Sequence, residues 1–110
     1  MNWVPLHVHS QYSILDAIAS IESIVEKAKT FQMPAVALTD HGNLFGAVEF
    51  YKACTAAKIK PIIGCEVYIA PGSRFDKSRQ PGKRAAYHQT LLAKNEQGYH
   101  NLIKLTSQGY

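Results

Sequence analysis

Apolar positions along the chain alternate between two rhythms. Trp3-Val4-Pro5-Leu6-His7-Val8 is a short apolar run with a proline near its start, where a missing N–H is tolerated, and it predicts a first strand. Ser10 to Ser20 is polar and irregular, which suits a loop. Ser20 stands where an N-cap belongs, because Ile21, Ile24, Val25 and Ala28 then recur at helical spacing and the pattern carries to about Phe31. Pro34 to Thr39 is almost continuously apolar, the pattern of a parallel strand covered on both faces. Asp40-His41-Gly42-Asn43 reads as a turn, with Asn43 capping a second helix that runs through Phe45, Val48 and Glu49 to Ala57. Ile59 to Ala70 is a third strand region, interrupted at Gly64, and Pro71 to Ala85 is a loop. Tyr87 to Ala93 predicts a fourth strand. Asn95 to Ser107 predicts a last helix, with Leu102, Ile103 and Leu105 as its apolar set and Gly109 past its end.

The order β-α-β-α-β-loop-β-α predicts an α/β fold of about four mostly parallel strands and three helices, linked as right-handed βαβ units. So few strands do not close a barrel, so the sheet is either small and open or part of something larger. At 110 residues the chain has the length of one small domain. Its 46% hydrophobic and 18% charged content excludes a disordered tail or a collagen-like fibre. No apolar run is long enough to span a bilayer, and Met1 to Pro5 lacks the basic and apolar regions of a secretory signal. Cys54 and Cys65 are too few for a disulfide framework and read as reduced packing residues, so a cytosolic location and no membrane partner are expected.

Charge changes the picture in one place. Arg74, Lys77, Arg79, Lys83 and Arg84 face a single acid, Asp76, within one Gly/Pro-containing loop, and this accounts for the whole net charge of +4. Such a loop is either a solvated surface feature or a phosphate-binding element whose contacts weaken with salt.

Ligands in α/β folds gather beyond the C-terminal ends of parallel strands, so the residues there carry the candidate chemistry. His7 and His9 are two apart, which in extended chain turns both imidazoles to one side at a spacing that can hold one metal ion. Asp40 and His41 follow the second predicted strand, and Glu66 follows Gly64-Cys65 in the third. Taken singly, Asp40 could cap a turn, His41 could serve a backbone hydrogen bond and Glu66 could be a solvated charge. Jointly they form an imidazole–carboxylate set suited to Zn, Mn or Fe, numerous enough for two or three ions. Paired metals of this kind hydrolyse phosphate esters, and a basic loop nearby fits an anionic substrate.

His7-Val8-His9-Ser10 followed by Tyr12-Ser13-Ile14-Leu15-Asp16 resembles the first motif of the polymerase and histidinol phosphatase (PHP) domain. Met33 to Gly46, containing Thr39-Asp40-His41-Gly42, is similar to its second motif. Ile59-Lys60-Pro61-Ile62-Ile63-Gly64-Cys65-Glu66-Val67-Tyr68-Ile69-Ala70 and His88 to Asn95, with Gly98-Tyr99 and Asn101 to Leu105, resemble the form at the N-terminus of bacterial DNA polymerase III alpha subunits. The likeness covers Val4 to Tyr110. It implies that residues 1–110 are the N-terminal portion of a PHP domain within a much longer subunit, a partial distorted (β/α) barrel with a trinuclear metal site at its mouth. The implied ligands are His7, His9, Asp16, His41, Glu66 and His88, with Asp40 beside the metals as an orienting group or proton acceptor. His88 enters this set by motif match alone, since it sits early in its predicted strand. His100 matches no implied ligand and reads as a surface residue.

The resemblance further implies a metal-dependent phosphodiesterase of 3′-5′ exonuclease type, working in DNA replication with DNA and other replicase subunits as partners. It also implies further ligands beyond Tyr110, hence a weakened site in this chain and apolar edges that favour self-association. Two other functions compete: a stand-alone PHP phosphatase acting on a small monoester such as histidinol phosphate, and a module in which metals only brace the fold.

Overall fold

A computed structural model of the chain describes residues 3–78, 82 and 85–110. Three helices and three strands follow in the order α1 (Ile21–Thr30), β1 (Ala35–Leu38), α2 (Ala47–Ala56), β2 (Lys60–Ile69), β3 (Tyr87–Leu92) and α3 (Glu96–Ser107). The strands form one sheet in the order β1-β2-β3. Ile21, Ile24, Val25 and Ala28 of α1 pack with Val36 and Leu38 of β1, Phe50 and Cys54 of α2, and Ile59. This is the apolar face that the helical period of α1 and the continuous run of β1 require. Both cysteines are buried and free, as packing residues, and burial pushes each thiol up to about 11.

Capping explains where the helices begin and end. Ser20 Oγ accepts the Ser23 N–H at 3.2 Å, the expected N-cap of α1. Asn95 caps α3 in the same way, accepting the Gly98 N–H at 3.0 Å. The second helix departs from expectation: its N-cap is Gly46, and Asn43 instead closes a tight turn by accepting the Phe45 N–H at 3.1 Å. α1 and α2 stop by one device. Met33 N–H donates to Ala28 O and Gln32 N–H to Lys29 O, while Ile59 N–H donates to Cys54 O and Lys58 N–H to Thr55 O. Both are paired six-to-one and five-to-two closures that leave Gln32 and Lys58 at positive φ. Each hands the chain directly into the following strand.

Two strand expectations need correction. Residues 3–8 run extended beside β1 but form no strand. Ala37 N–H donates to Pro5 O and Thr39 N–H to Val8 O. Three residue steps thus face two, the extra residue breaks the register, and Pro5 has no N–H to offer. The sheet is also not mostly parallel. β1 and β2 are parallel, from Ala35 opposite Lys60 to Leu38 opposite Ile63. β3 runs antiparallel to β2, from Gly64 opposite Leu92 to Ile69 opposite Tyr87. An antiparallel return from β2 to β3 needs no crossover helix, whereas a parallel one would.

Gly64 does not interrupt β2. A Cβ there would lie 2.5 Å from Leu91 O, 2.8 Å from Leu92 Cδ2 and 2.9 Å from Thr39 Cγ2. The glycine is what lets β3 close onto β2. Gly64→Ala is expected to lower stability by about 2 kcal/mol, because the clash is with backbone that cannot rotate away. A denaturant midpoint unchanged from the parent would refute the close-approach explanation.

Several large apolar side chains remain exposed. Ile14, Leu15 and Ile18 of the loop before α1, and Phe45 before α2, all face solvent. Among the described residues, no helix is long and apolar enough to cross a membrane.

Candidate metal centre

The sheet places Glu66 at the centre of the site. It is 5% exposed and lies in β2 just beyond the end of β1, where His41 bridges it in parallel fashion. Glu66 N–H donates to Asp40 O and Gly42 N–H donates to Glu66 O, both at 2.9 Å. Gly42 adopts φ +63°, a left-handed conformation that lets the chain turn away immediately after presenting His41.

Four imidazoles converge on this carboxylate. His7 Nε2 and His9 Nε2 each lie 2.6 Å from Glu66 Oε2, and 3.2 Å from each other. The i, i+2 spacing thus turns both rings to one side, as the extended chain dictates. His88 Nδ1 lies 2.7 Å from Glu66 Oε1. His88 faces Tyr68 across the β2–β3 ladder, so it reaches Glu66 on the diagonal. Its early position in β3 is no obstacle, because the antiparallel direction brings the start of β3 to the same end of the sheet as Glu66. His41 completes the ring: its Nδ1 is 3.8 Å from Glu66 Oε2, and its Nε2 is 3.1 Å from Asp16 Oδ2. Asp16, largely exposed, stands at the outer rim and belongs to no helix terminus.

Burial alone would push the Glu66 carboxyl up. The hydrogen bonds from His7, His9 and His88 and the charge of His41 outweigh burial and bring it down to about 2. The site therefore keeps an ionised carboxylate at any physiological pH.

The donor set fits a divalent metal. Two groups, His7–His9–Glu66 and His41–Glu66–His88, each hold their ligand-type atoms within 4.8 Å of one another, and they share Glu66. His41 Nδ1 is buried without a hydrogen-bond partner among the described residues, an orphaned nitrogen lone pair or N–H that a metal centre would engage. Asp16, through its contact with His41 Nε2, adds a second carboxylate beside the latter group.

Asp40 occupies a different layer. It is 1% exposed, and its Oδ1 accepts the Ser10 N–H at 2.6 Å and the Ser13 hydroxyl at 2.7 Å, while Oδ2 accepts the Ser10 hydroxyl at 2.8 Å. Ser13 Oγ in turn accepts the His41 N–H at 3.0 Å. Thr39 Oγ1 takes the Val8 N–H at 2.9 Å from the other side. This buried net fixes the His7–Ser10 segment against the end of β1, which is how the two imidazoles come to face Glu66.

The loop bearing Asp16 has its own anchor. The Tyr12 hydroxyl donates to Glu49 Oε2 at 2.7 Å, a bond that raises the phenol above its ordinary value. The Tyr12 ring lies where a Cβ at Gly46 would meet it at 2.8 Å.

The basic loop leaves β2 three residues after Glu66. Arg74 and Lys77 are exposed, with the Arg74 guanidinium stacked 4.6 Å over the Phe75 ring. Arg79, Lys83 and Arg84 lie outside the described residues. His100 is on the surface of α3, its Nε2 3.8 Å from Glu96 Oε1, apart from the site.

Comparison with known proteins decides the family. The PHP domain model matches residues 5–110. The chain belongs to the PHP domain family.

Among curated relatives, DNA polymerase III subunit alpha of Chlamydia pneumoniae is 64% identical over 110 residues, covering 100% of this chain and 9% of that protein. The subunits of Treponema pallidum, at 54% identity, and Thermus aquaticus, at 50%, match with the same two coverages. The chain thus spans about 9% of the length of these relatives. Two solved structures share the PHP chain's fold. An amidohydrolase from Chromobacterium violaceum aligns with TM-score 0.65 and 23% identity over 92% of this chain and 32% of its own. A protein from Bifidobacterium adolescentis described as a metal-dependent phosphoesterase aligns with TM-score 0.62 and 18% identity, with the same coverages. The α/β reading as part of a PHP-type (β/α) barrel stands, with the strand count and direction corrected above.

Within this PHP chain the sequence reading reached every imidazole of the cluster but missed its supports. Ser10, Ser13 and Thr39 stand inside the motif strings, but as small hydroxyl residues they suggest no role of their own. Tyr68 stands in the third motif string without a role of its own, although it follows Glu66 by two and so shares its face of β2.

Proposed function

We propose that this chain is the N-terminal part of the PHP domain of a bacterial DNA polymerase III alpha subunit, and that its site hydrolyses the terminal phosphodiester of a nucleic-acid strand in the 3′-5′ direction. The observation that carries this reading is the convergence of four imidazoles on the buried Glu66 carboxylate, with Asp16 at the rim. The names of the relatives, matched along the full chain, support the polymerase setting over a stand-alone phosphatase.

His7, His9, His41, Glu66, His88 and Asp16 would hold divalent ions of the Zn, Mn or Fe class. Such ions supply Lewis acidity toward a phosphoryl oxygen and a nucleophile at neutral pH. The chain's own residues do the rest. Glu66, ionised and shared by both groups, fixes the distance between them. Asp40 orients the His7–Ser10 segment through Ser10 and Ser13, and proton acceptance beside the metals is the second role this reading gives its carboxylate. The loop carrying Arg74, Lys77, Arg79, Lys83 and Arg84 supplies positive charge for the strand's phosphates, a contact that weakens as salt rises. DNA, the remaining subunits of a replicase and a second copy of this chain are the partners this reading implies, and the cytoplasm is its place.

The test is hydrolysis by the full-length subunit of a 5′-labelled single-stranded oligonucleotide. Stepwise shortening from the 3′ end that needs Mn or Zn and stops with a chelator is expected. An intact oligonucleotide together with metal-dependent cleavage of p-nitrophenyl phosphate would instead support the monoesterase reading. Full metal occupancy with neither activity would support a bracing role.

A further inference from the structure

Tyr68 is an exposed aromatic residue set directly against the candidate ligands. It shares the face of β2 that carries Glu66, and it sits opposite His88 in the ladder. Its ring meets the His88 ring edge-on, with centroids 4.9 Å apart and planes at 87°. The His41 ring lies nearly parallel to it at 6.1 Å, with planes at 18°. A Cβ at Gly42 would touch Tyr68 Cε2 at 3.4 Å. The ring is thus propped by His41, Gly42 and His88, yet 56% of the residue stays exposed.

What sets this ring apart from the other exposed aromatics is its place, held by His41, Gly42 and His88 directly beside the candidate ligands. Tyr68 has properties of a stacking platform: a ring held in one plane, substantial exposure to solvent, and the exposed Arg74 and Lys77 in the loop that follows its own strand. We infer that Tyr68 stacks on the terminal nucleobase of the strand whose phosphodiester enters the site. The inference rests on the proposed function and deepens it: the site takes a base-bearing strand end and not a bare phosphate ester. The ring seats the base while Glu66, two residues before it, stays beside the scissile phosphate. Register along the strand would follow from that two-residue spacing.

The experiment uses the full-length protein with chelator present and an oligothymidylate carrying 5-iodouracil at its 3′ end. On irradiation, a cross-link mapped by mass spectrometry to Tyr68 is expected, lost in Tyr68→Leu and kept in Tyr68→Phe. In the metal-loaded protein, the preference for a base-bearing over an abasic 3′ end is expected to fall about 10-fold in Tyr68→Leu and to persist in Tyr68→Phe, the range of one base–aromatic stack. Cross-linking elsewhere, or an unchanged preference in Tyr68→Leu, while the wild type still shortens the oligonucleotide, would overturn this inference and leave the proposed function intact. A wild type that neither shortens nor cross-links the oligonucleotide would overturn both.

Discussion

Glu66→Gln is expected to empty both metal groups at once. One carboxylate serves His7 and His9 through Oε2 and His88 through Oε1. Its amide analogue keeps the shape but carries no charge and presents an NH₂ to one side of the imidazole ring. Outer partners of a metal site already cost 10–100-fold in affinity when removed, so loss of a shared ligand is expected to cost about 100-fold or more. Elemental analysis of the purified variant should show both groups depleted, with hydrolysis lost in parallel. Retention of wild-type metal content would place the metals elsewhere in the molecule.

The same residue sets a pH dependence in the metal-free chain. The Glu66 carboxyl falls from an ordinary 4.5 to about 2 in the folded state. A depressed folded value means the ionised carboxylate stabilises the fold above about pH 4.5, and the contribution fades as pH drops toward 2. A shift of this size corresponds to roughly 3 kcal/mol. The metal-free wild type is therefore expected to lose stability between those pH values more steeply than Glu66→Gln, the two converging at the acid end. Parallel acid-unfolding curves for the two proteins would contradict it.

Asp40→Ala is expected to have the largest effect on folding. Three donors end on that carboxylate: the Ser10 N–H, the Ser10 hydroxyl and the Ser13 hydroxyl, in residues that are themselves buried. Truncation strands them away from water, and each unsatisfied buried donor costs about 1–3 kcal/mol. A loss of about 4 kcal/mol is expected, which for a domain of this size lowers the melting temperature by roughly 15 °C or more. Asp40→Asn separates bracing from proton acceptance. A folded, metal-loaded Asn variant with its hydrolysis lost would assign Asp40 the proton. One that hydrolyses normally would leave it as a brace alone. A thermally unaffected Asp40→Ala would dismiss the hydrogen-bonded net as the organiser of the His7–Ser10 segment.

Several parts of this arrangement were legible in the residues. The apolar period of α1 and the Ser20 cap determine that helix. The continuous run at 35–38 determines a buried strand, and the His7/His9 spacing determines that two imidazoles point together. These are local properties, set by 3.6-residue and two-residue periods and by side-chain caps within three residues. The helix stops were less legible, because Gln32 and Lys58 occupy left-handed positions where glycine is the usual signal.

The tertiary structure alone decided the rest. Nothing local distinguishes β3 as antiparallel, since a strand's own residues do not report the direction of its partner. The pairing does, and it converts His88 from a misplaced strand residue into a neighbour of Glu66. Nor could spacing show that residues 3–8 fail to form a strand: one extra residue opposite β1 spoils the ladder while leaving the sequence strand-like. Residue identity and local period thus set which ligand types were available for a metal centre and which short segments are helical or extended. Only the fold decided that Glu66 would be the shared hub and Asp40 the buried brace, because both roles depend on contacts between residues more than twenty positions apart. Such contacts are fixed by how the sheet closes and not by any local preference of the chain.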